Sequence, residues 1–457
     1  MSDYIRYKNY LFFAITFTFI SQISYAQNLN GLKDLISLAE KNYPSIAAKK
    51  ARSLATQKDI AIEKNTFLPS VDAAYQTDYA TYNNITGMAF PQYLVPISGP
   101  PSTKNNFSGV FGSAASVLLN WQPITFGQRP AQINVAQQNY QLSVADESNT
   151  IYQLQLNVIA VYLNLVLSDE LLKVYQENIV RTQIQLRQIR SLVISGLKPG
   201  TDTALYQAEL SKATIGLYNL QQYRAEQQNQ LGLLTGNTNL TVAADSSFAQ
   251  QIPGINLPES IMVHPLVVFG EQLVKVQEAN KSAIKKSLMP ALIVWSTFYG
   301  RGSGIRYDGE VTSADGLGFS RYNYGVGLQL SVPILKYVGV RLQLQKQDAL
   351  IKSYQSQLEQ TQLQLLHDSL DAQLAMTNSI KVMKETAVQT NAANAAYRSM
   401  LSRYNAGLAN FTELIQTQYT LLKAETDAKQ AIINIWKALL QKAAAEGNVN
   451  VFLKEVK

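Results

Sequence analysis

From Arg129 to Gly196 the sequence holds one proline and no internal glycine, and that proline, Pro130, falls in a first helical turn, where it is tolerated. Within this stretch Val161, Leu165, Ser168, Leu172, Tyr175, Ile179, Thr182, Leu186, Ile189 and Val193 alternate four and three residues apart. Eight of these ten are apolar, which sets a 3.5-residue seam and a left-handed supercoil. Gln, Asn, Ser and Lys fill the other faces. A helix from Gly127 to Ile194 holds roughly 68 residues and reaches about 100 Å at ~1.5 Å per residue. The seam returns 211 residues later as Ala372, Met376, Ser379, Met383, Thr386, Thr390, Ala393, Tyr397, Met400 and Tyr404. Its residues are smaller and more polar, which implies a looser coiled coil.

The repetition extends beyond the seam. Tyr43-Pro44 matches His264-Pro265, and Leu68-Pro69 matches Met289-Pro290, both at an offset of 221. Pro123 matches Pro333, Gly127 and Arg129 match Gly339 and Arg341, and Gly196-Leu197 matches Gly407-Leu408. Thr201-Asp202 and Gln207 then match Thr412-Glu413 and Gln418. Landmarks that stay in order mark an internal duplication. Each half reads as a moderate helix (about Asn42 to Phe67, and His264 to Leu288), a proline, a β-rich stretch with a loop, a very long helix, a glycine break and a return helix.

The β-rich stretches alternate with period two. Apolar and aromatic residues at Tyr322, Tyr324, Val326, Leu328, Leu330 and Val332 face away from Arg321, Asn323, Gly325, Gly327, Gln329 and Ser331. Phe107 to Trp121 and Val71 to Thr81 show the same grammar, and Leu292 to Arg301 alternates poorly. Period two with aromatics on the apolar side suits a lipid-facing wall around a wet lumen, and a half-buried soluble sandwich would also give it.

Export sets the context. Met1 to Tyr10 carries Arg6 and Lys8, Leu11 to Ile20 is almost wholly apolar, and Ser24-Tyr25-Ala26 supplies small residues for cleavage. This reads as a signal peptide over 1–26, with a mature chain from Gln27. No later stretch reaches the roughly 18 apolar residues of a membrane helix, so a membrane span would be built of strands. The division that follows is a first repeat at 27–236 with strands about 70–82 and 106–122, a long helix about 127–195 and a return helix about 201–235. An equatorial segment at 237–263 joins it to a second repeat at 264–447, with strands about 291–301 and 320–333, a long helix about 338–405 and a return helix about 412–446. A tail at 448–457 ends the chain.

Composition excludes several chemistries. There is no cysteine and there are two histidines, so thiol catalysis, disulfides and multi-histidine metal centres fall away. The net charge of +7 is spread rather than clustered, which gives no nucleic-acid footprint. HExxH, GxSxG and P-loop patterns are absent, and the glycine-rich run Gly300 to Gly304 follows no βα unit. His264 reads as a helix-entry residue, and His367 lies on a polar helix without a second histidine. The loop Asn83 to Lys104, with Pro91, Pro96, Pro100 and Pro101, reads as exposed.

Taken together, the run Pro123 to Arg129, its partner around Pro333 to Arg341, and the Gly196 and Gly407 turns each followed six residues later by an acid resemble the TolC-like outer membrane efflux proteins. The resemblance spans roughly Leu32 to Glu446. It implies a mixed α and β fold in a homotrimer. Each chain would give four strands to one twelve-stranded outer-membrane β-barrel, continuous with a long periplasmic α-helical coiled-coil tunnel. Four staves cannot close a barrel alone, so a trimer also removes open edges.

The implied function is the passive exit duct of a tripartite efflux or type I secretion system, gated at its helical tip. Its implied partners are outer-membrane lipid, a periplasmic membrane-fusion adaptor and, through it, an inner-membrane pump; no cofactor, metal or catalytic residue is implied. Carried over by position, Glu413 is the first bore acid, and Gln416 stands where the family often has a second. Tyr404 lies three before Gly407 and can link to Asp202 or Thr201 of the other coiled coil. Ala409 stands where some members carry a basic residue. Residue by residue, Glu413 also reads as a helix-start acid, Asp202 as an N-terminal cap after Thr201, and Tyr404 as seam packing. An exported coiled-coil structural or adhesive protein without channel activity is the alternative, opposed by the staves and the duplication.

Overall fold

The computed structural model describes residues 31–83, 101, 103–254, 263–306 and 310–456. The expected signal peptide and most of the proline-rich loop lie outside the described residues. The chain opens with α1 (Leu32–Asn42) and α2 (Pro44–Asn65). The sequence pattern places a helix at about Asn42 to Phe67, which is α2, and does not single out α1 before it. Pro44 at the first position of α2 restricts the residue before it, so Tyr43 is extended (φ −67, ψ 119) and the chain turns between two helices. α1 earns its own place in the core through Leu35 and Ala39, both fully buried.

Four antiparallel strands follow in two pairs: β1 (Ser70–Ala80) and β2 (Val110–Ile124), then β3 (Ala291–Ser303) and β4 (Arg321–Ser331). They form one sheet in the order β1-β2-β3-β4. Register aligns Tyr75 with Ala115, Val117 with Phe298, and Phe298 with Tyr324, so one face carries apolar residues from all four strands. That face is open: Tyr324 is 86% exposed and Val326 and Leu328 are each 73% exposed. The opposite face carries Asp72, Gln76, Asn120, Arg301, Asn323 and Gln329. The weak alternation of β3 has a local cause. Trp295 sits on the polar face, over Gly325 and Gly327, where any side chain at Gly327 would meet its ring.

The strands hand over to rods. α3 (Gln128–Ile194) and α6 (Lys336–Asn405) are the long helices, and α4 (Gly200–Thr235) and α7 (Phe411–Glu446) return from them. α5 (Pro265–Lys286) precedes β3, and α8 (Asn450–Leu453) ends the fold. None of the twenty seam positions is exposed in the structure. α3 packs against α1, α2, α4, α5 and α7, whereas α6 packs against α5 and α7. One stretch of α3 is long and apolar enough to cross a membrane, against the expectation that none would be. Half of it is buried, because Leu154, Val158, Ile159, Tyr162, Leu163 and Val166 form the main core with α1 and α7.

The run Pro123 to Arg129 builds the joint between sheet and rod. Gly127 takes a left-handed φ of 95, and α3 starts immediately after it. Gln128 donates to the Met289 carbonyl at 2.6 Å, and Arg129 donates to the Gln122 carbonyl at 2.6 Å and the Thr66 carbonyl at 3.3 Å. Trp121 donates to the Phe67 carbonyl at 2.8 Å, and the Arg129 guanidinium lies 5.3 Å from the Phe67 ring centre. One motif therefore clamps the ends of α2, β2 and α5.

A second knot lies at the far end of α7. His264 caps α5, its Nδ1 accepting from the Leu266 N–H at 3.0 Å, while Nε2 lies 3.0 Å from the Ala444 carbonyl. Tyr152 donates to the carbonyls of Ala443 and Ala444. Both histidine bonds require the neutral ring protonated on Nε2. Burial pushes the His264 pKa below its usual value, against the raising effect of the Ala444 bond. Its contribution is complete above the usual histidine pKa of about 6.5 and is lost as pH falls through the lowered folded value. Thermal unfolding from neutral to mildly acid pH should show a loss of about 1 kcal/mol that is absent in His264→Gln; equal pH dependence in both proteins would contradict this assignment.

Candidate functional site

Both long helices end with the same backbone device. Gly196 (φ 72) and Gly407 (φ 76) take the left-handed conformation that L-residues resist. Leu197 N–H donates to the Leu192 carbonyl at 2.9 Å and Gly196 N–H to the Val193 carbonyl at 3.0 Å. Leu408 and Gly407 repeat this pair on the Arg403 and Tyr404 carbonyls, at 2.8 and 3.1 Å. These are Schellman closures, and they place the two hairpin turns of the chain. Ile194, Leu197 and Leu408 stand exposed on them.

Tyr404 is 1% exposed and packs with Leu186, Ile189, Tyr206, Tyr397, Leu414 and Ile415 in a second core near these turns. Its hydroxyl donates to Asp202 Oδ2 at 2.7 Å, which ties the end of α6 to the start of α4. The Lys198 ammonium lies 4.2 Å from the Tyr404 ring centre. Burial, then the bond to Asp202, pushes the Tyr404 pKa far above its usual value, so the hydroxyl stays a donor. Asp202 does not cap α4. Pro199 occupies the cap position without a side-chain bond, and the Asp202 N–H donates to its carbonyl at 3.1 Å. Thr201 is exposed and makes no link to Tyr404.

Glu413 is exposed and closes a capping box with Asn410. The Glu413 N–H donates to Asn410 Oδ1 at 2.9 Å, and Glu413 Oε2 accepts from the Asn410 N–H at 3.0 Å. Gln416 is exposed one turn further on. His367 is exposed on α6, and among the described residues no group of acids and histidines could hold a metal.

Several links between the hairpins were not singled out in the sequence. Arg181 on α3 makes a two-pronged ion pair with Glu425 on α7, at 2.7 and 2.6 Å. Gln418 donates to Asn178 at 3.1 Å and Thr182 at 2.7 Å in the buried α3–α7 seam. Glu170 is held by Lys173 and Lys429; its burial raises its pKa, and the two ammoniums outweigh that and lower it. Lys198 carried one available signal, its place two residues after Gly196, where the second repeat has Ala409.

The family model for outer membrane efflux proteins matches residues 35–237 and 272–445. The chain belongs to the outer membrane efflux protein family. No curated protein sequence matches it. Among solved structures, the outer membrane protein VceC from Vibrio cholerae is 13% identical with a TM-score of 0.71, covering 91% of this chain and 96% of that one. The Campylobacter jejuni CmeC outer membrane channel is 13% identical with a TM-score of 0.73, covering 91% and 85%. The open state of the Neisseria gonorrhoeae MtrE outer membrane channel is 18% identical with a TM-score of 0.65, covering 91% and 89%. These likenesses establish the shared fold, a four-stranded sheet joined to long helices.

In this efflux protein, Asn410→Ala removes one half of the capping box. It is expected to cost about 1 kcal/mol at the start of α7, read as faster amide exchange over 411–414 with no change over α4. Equal exchange in both proteins would mean the box contributes nothing.

Proposed function

We propose that three copies of this outer membrane efflux protein close one twelve-stranded barrel in the outer membrane. Their helices then stand in the periplasm as the exit duct of a tripartite efflux or type I secretion system. The supporting observation is the sheet. Among the described residues β1 and β4 have one neighbour each, and the sheet presents a continuous apolar face. In lipid every strand edge must be paired, so such a sheet is stable there only when β4 of one copy pairs with β1 of the next. The apolar face then meets lipid and the polar face lines the lumen. In this reading 27–236 and 264–447 are the two repeats, 237–263 is the equatorial segment, and 1–26 is removed on export.

The duct is passive. An inner-membrane pump supplies the energy through a periplasmic adaptor whose hairpin packs against the tip. The tip is the gate. Tyr404 and Asp202 tie the second coiled coil to the first, with Lys198 against the tyrosine ring, and Gly196 and Gly407 form the turns. Glu413, three copies around the axis, attracts cations into the bore, and Gln416 adds a polar, uncharged ring above it. The capping box leaves one Glu413 carboxylate oxygen free for this role.

Purified protein in a planar bilayer is the test. A trimeric preparation should give a small, cation-selective conductance; a monomer, or a folded trimer that passes no ions, would count against the duct. Glu413→Gln is expected to lower the cation-to-anion permeability ratio, and an unchanged ratio would remove Glu413 from the bore. Asp202→Ala combined with Tyr404→Phe is expected to raise resting conductance. Unchanged conductance would reduce both residues to packing.

A further inference from the structure

α4 packs closely along α3 and α1, but not along α6 or α7. Long side chains on one face of α4 make its connection to the second hairpin. Asp202, Tyr206 and Glu209 lie four and three apart on that face, one heptad in all. Asp202 accepts from Tyr404 of α6. The Tyr206 ring is fully buried and meets the Phe411 ring edge-on, centres 4.9 Å apart. Glu209 accepts from the Tyr419 hydroxyl of α7. Lys212, one turn beyond Glu209, donates to the same hydroxyl at 2.9 Å, and its ammonium lies 4.3 Å from the Tyr419 ring centre.

We propose that Glu209, Lys212 and Tyr419 form a second latch that fixes α4 to α7, separate from the Tyr404–Asp202 link. This rests on the reading of the helical tip as a gate. Tyr419 uses both sides of its hydroxyl, donating a hydrogen bond to a carboxylate and accepting one from an ammonium. The three groups together carry no net charge, so the contact does not strand an ion. The two latches sit seven residues apart on α4, about 10 Å along the helix at ~1.5 Å per residue. They reach α4 from different helices, so one can open while the other holds. The second repeat has no copy: Ala208 and Thr420 stand where Tyr419 and Glu209 would recur at the 211 offset.

The chemistry also supplies a mild variant. With Tyr419→Phe the ring stays, and Glu209 and Lys212, three apart on one helix, can pair with each other. Nothing charged is left unpartnered, and the protein should fold with an unchanged melting temperature.

The chain contains no cysteine, so paired labels are straightforward to place. Ser211→Cys on α4 and Thr420→Cys on α7 are exposed neighbours of the latch. Spin labels there, in the full-length detergent-extracted protein diluted with unlabelled chains, read the α4–α7 separation. Tyr419→Phe is expected to lengthen and broaden that distance distribution, Lys212→Met to do so less, and both to raise resting conductance. An unchanged distribution in a folded Tyr419→Phe protein overturns the latch. A broadened distribution with unchanged conductance overturns its role in gating. A broadened distribution in a protein whose wild type passes no ions keeps the link and overturns the channel reading instead.

Discussion

A helix of 67 residues cannot bury its apolar seam against itself. Everything else in this chain follows from the need to cover two such seams. α4 folds back on α3 and α7 on α6, and the glycines at 196 and 407 make both reversals possible by accepting a left-handed backbone. Helix propensity alone would leave rods of this length frayed and isolated; packing along a supercoiled stripe makes them cooperative. The larger seam residues of α3 serve a crowded helix with five neighbours. The smaller ones of α6 serve a helix that, among the described residues, packs along its length mainly against α5 and α7.

The hairpins are held to one another by polar side chains, and here the two halves of the chain differ. Along the α4 side of the tip, the tyrosine donors lie on α6 and α7 and the acidic acceptors on α4. At an offset of 211 residues Val193 stands opposite Tyr404, and Glu413, which caps its own helix, stands opposite Asp202. Charge-assisted bonds of this kind are directional, so they fix the register between coiled coils that an apolar seam alone leaves free to slide.

At the other end the run Pro123 to Arg129 converts sheet into rod. Pro123 interrupts the ladder, and the β2–β3 register shifts between Trp121 and Ile124 before the last pair. Glycine turns the chain, and glutamine and arginine satisfy carbonyls from α2, β2 and the segment before β3. A flexible joint here would let the sheet and the helices drift apart. These bonds hold the direction of a 100 Å lever at its root.

Period determined much of this protein in the sequence itself. A 3.5-residue stripe dictates long paired helices, a period of two dictates strands with an apolar face, and ordered landmarks dictate two copies of one plan. Those signals are local, so one chain read alone carries them. The sequence also placed Tyr404, Asp202 and Glu413 near the turns. It did not separate capping from linking, because both roles use the same residue types at the same distance from a helix start. Only the tertiary structure decided that Glu413 caps, that Asp202 accepts from Tyr404, that a separate helix α1 precedes Pro44, and that Arg181, Gln418 and Tyr419 find partners more than two hundred residues away. Such pairs leave no periodic trace, since their spacing is set by how two hairpins cross and not by any one helix.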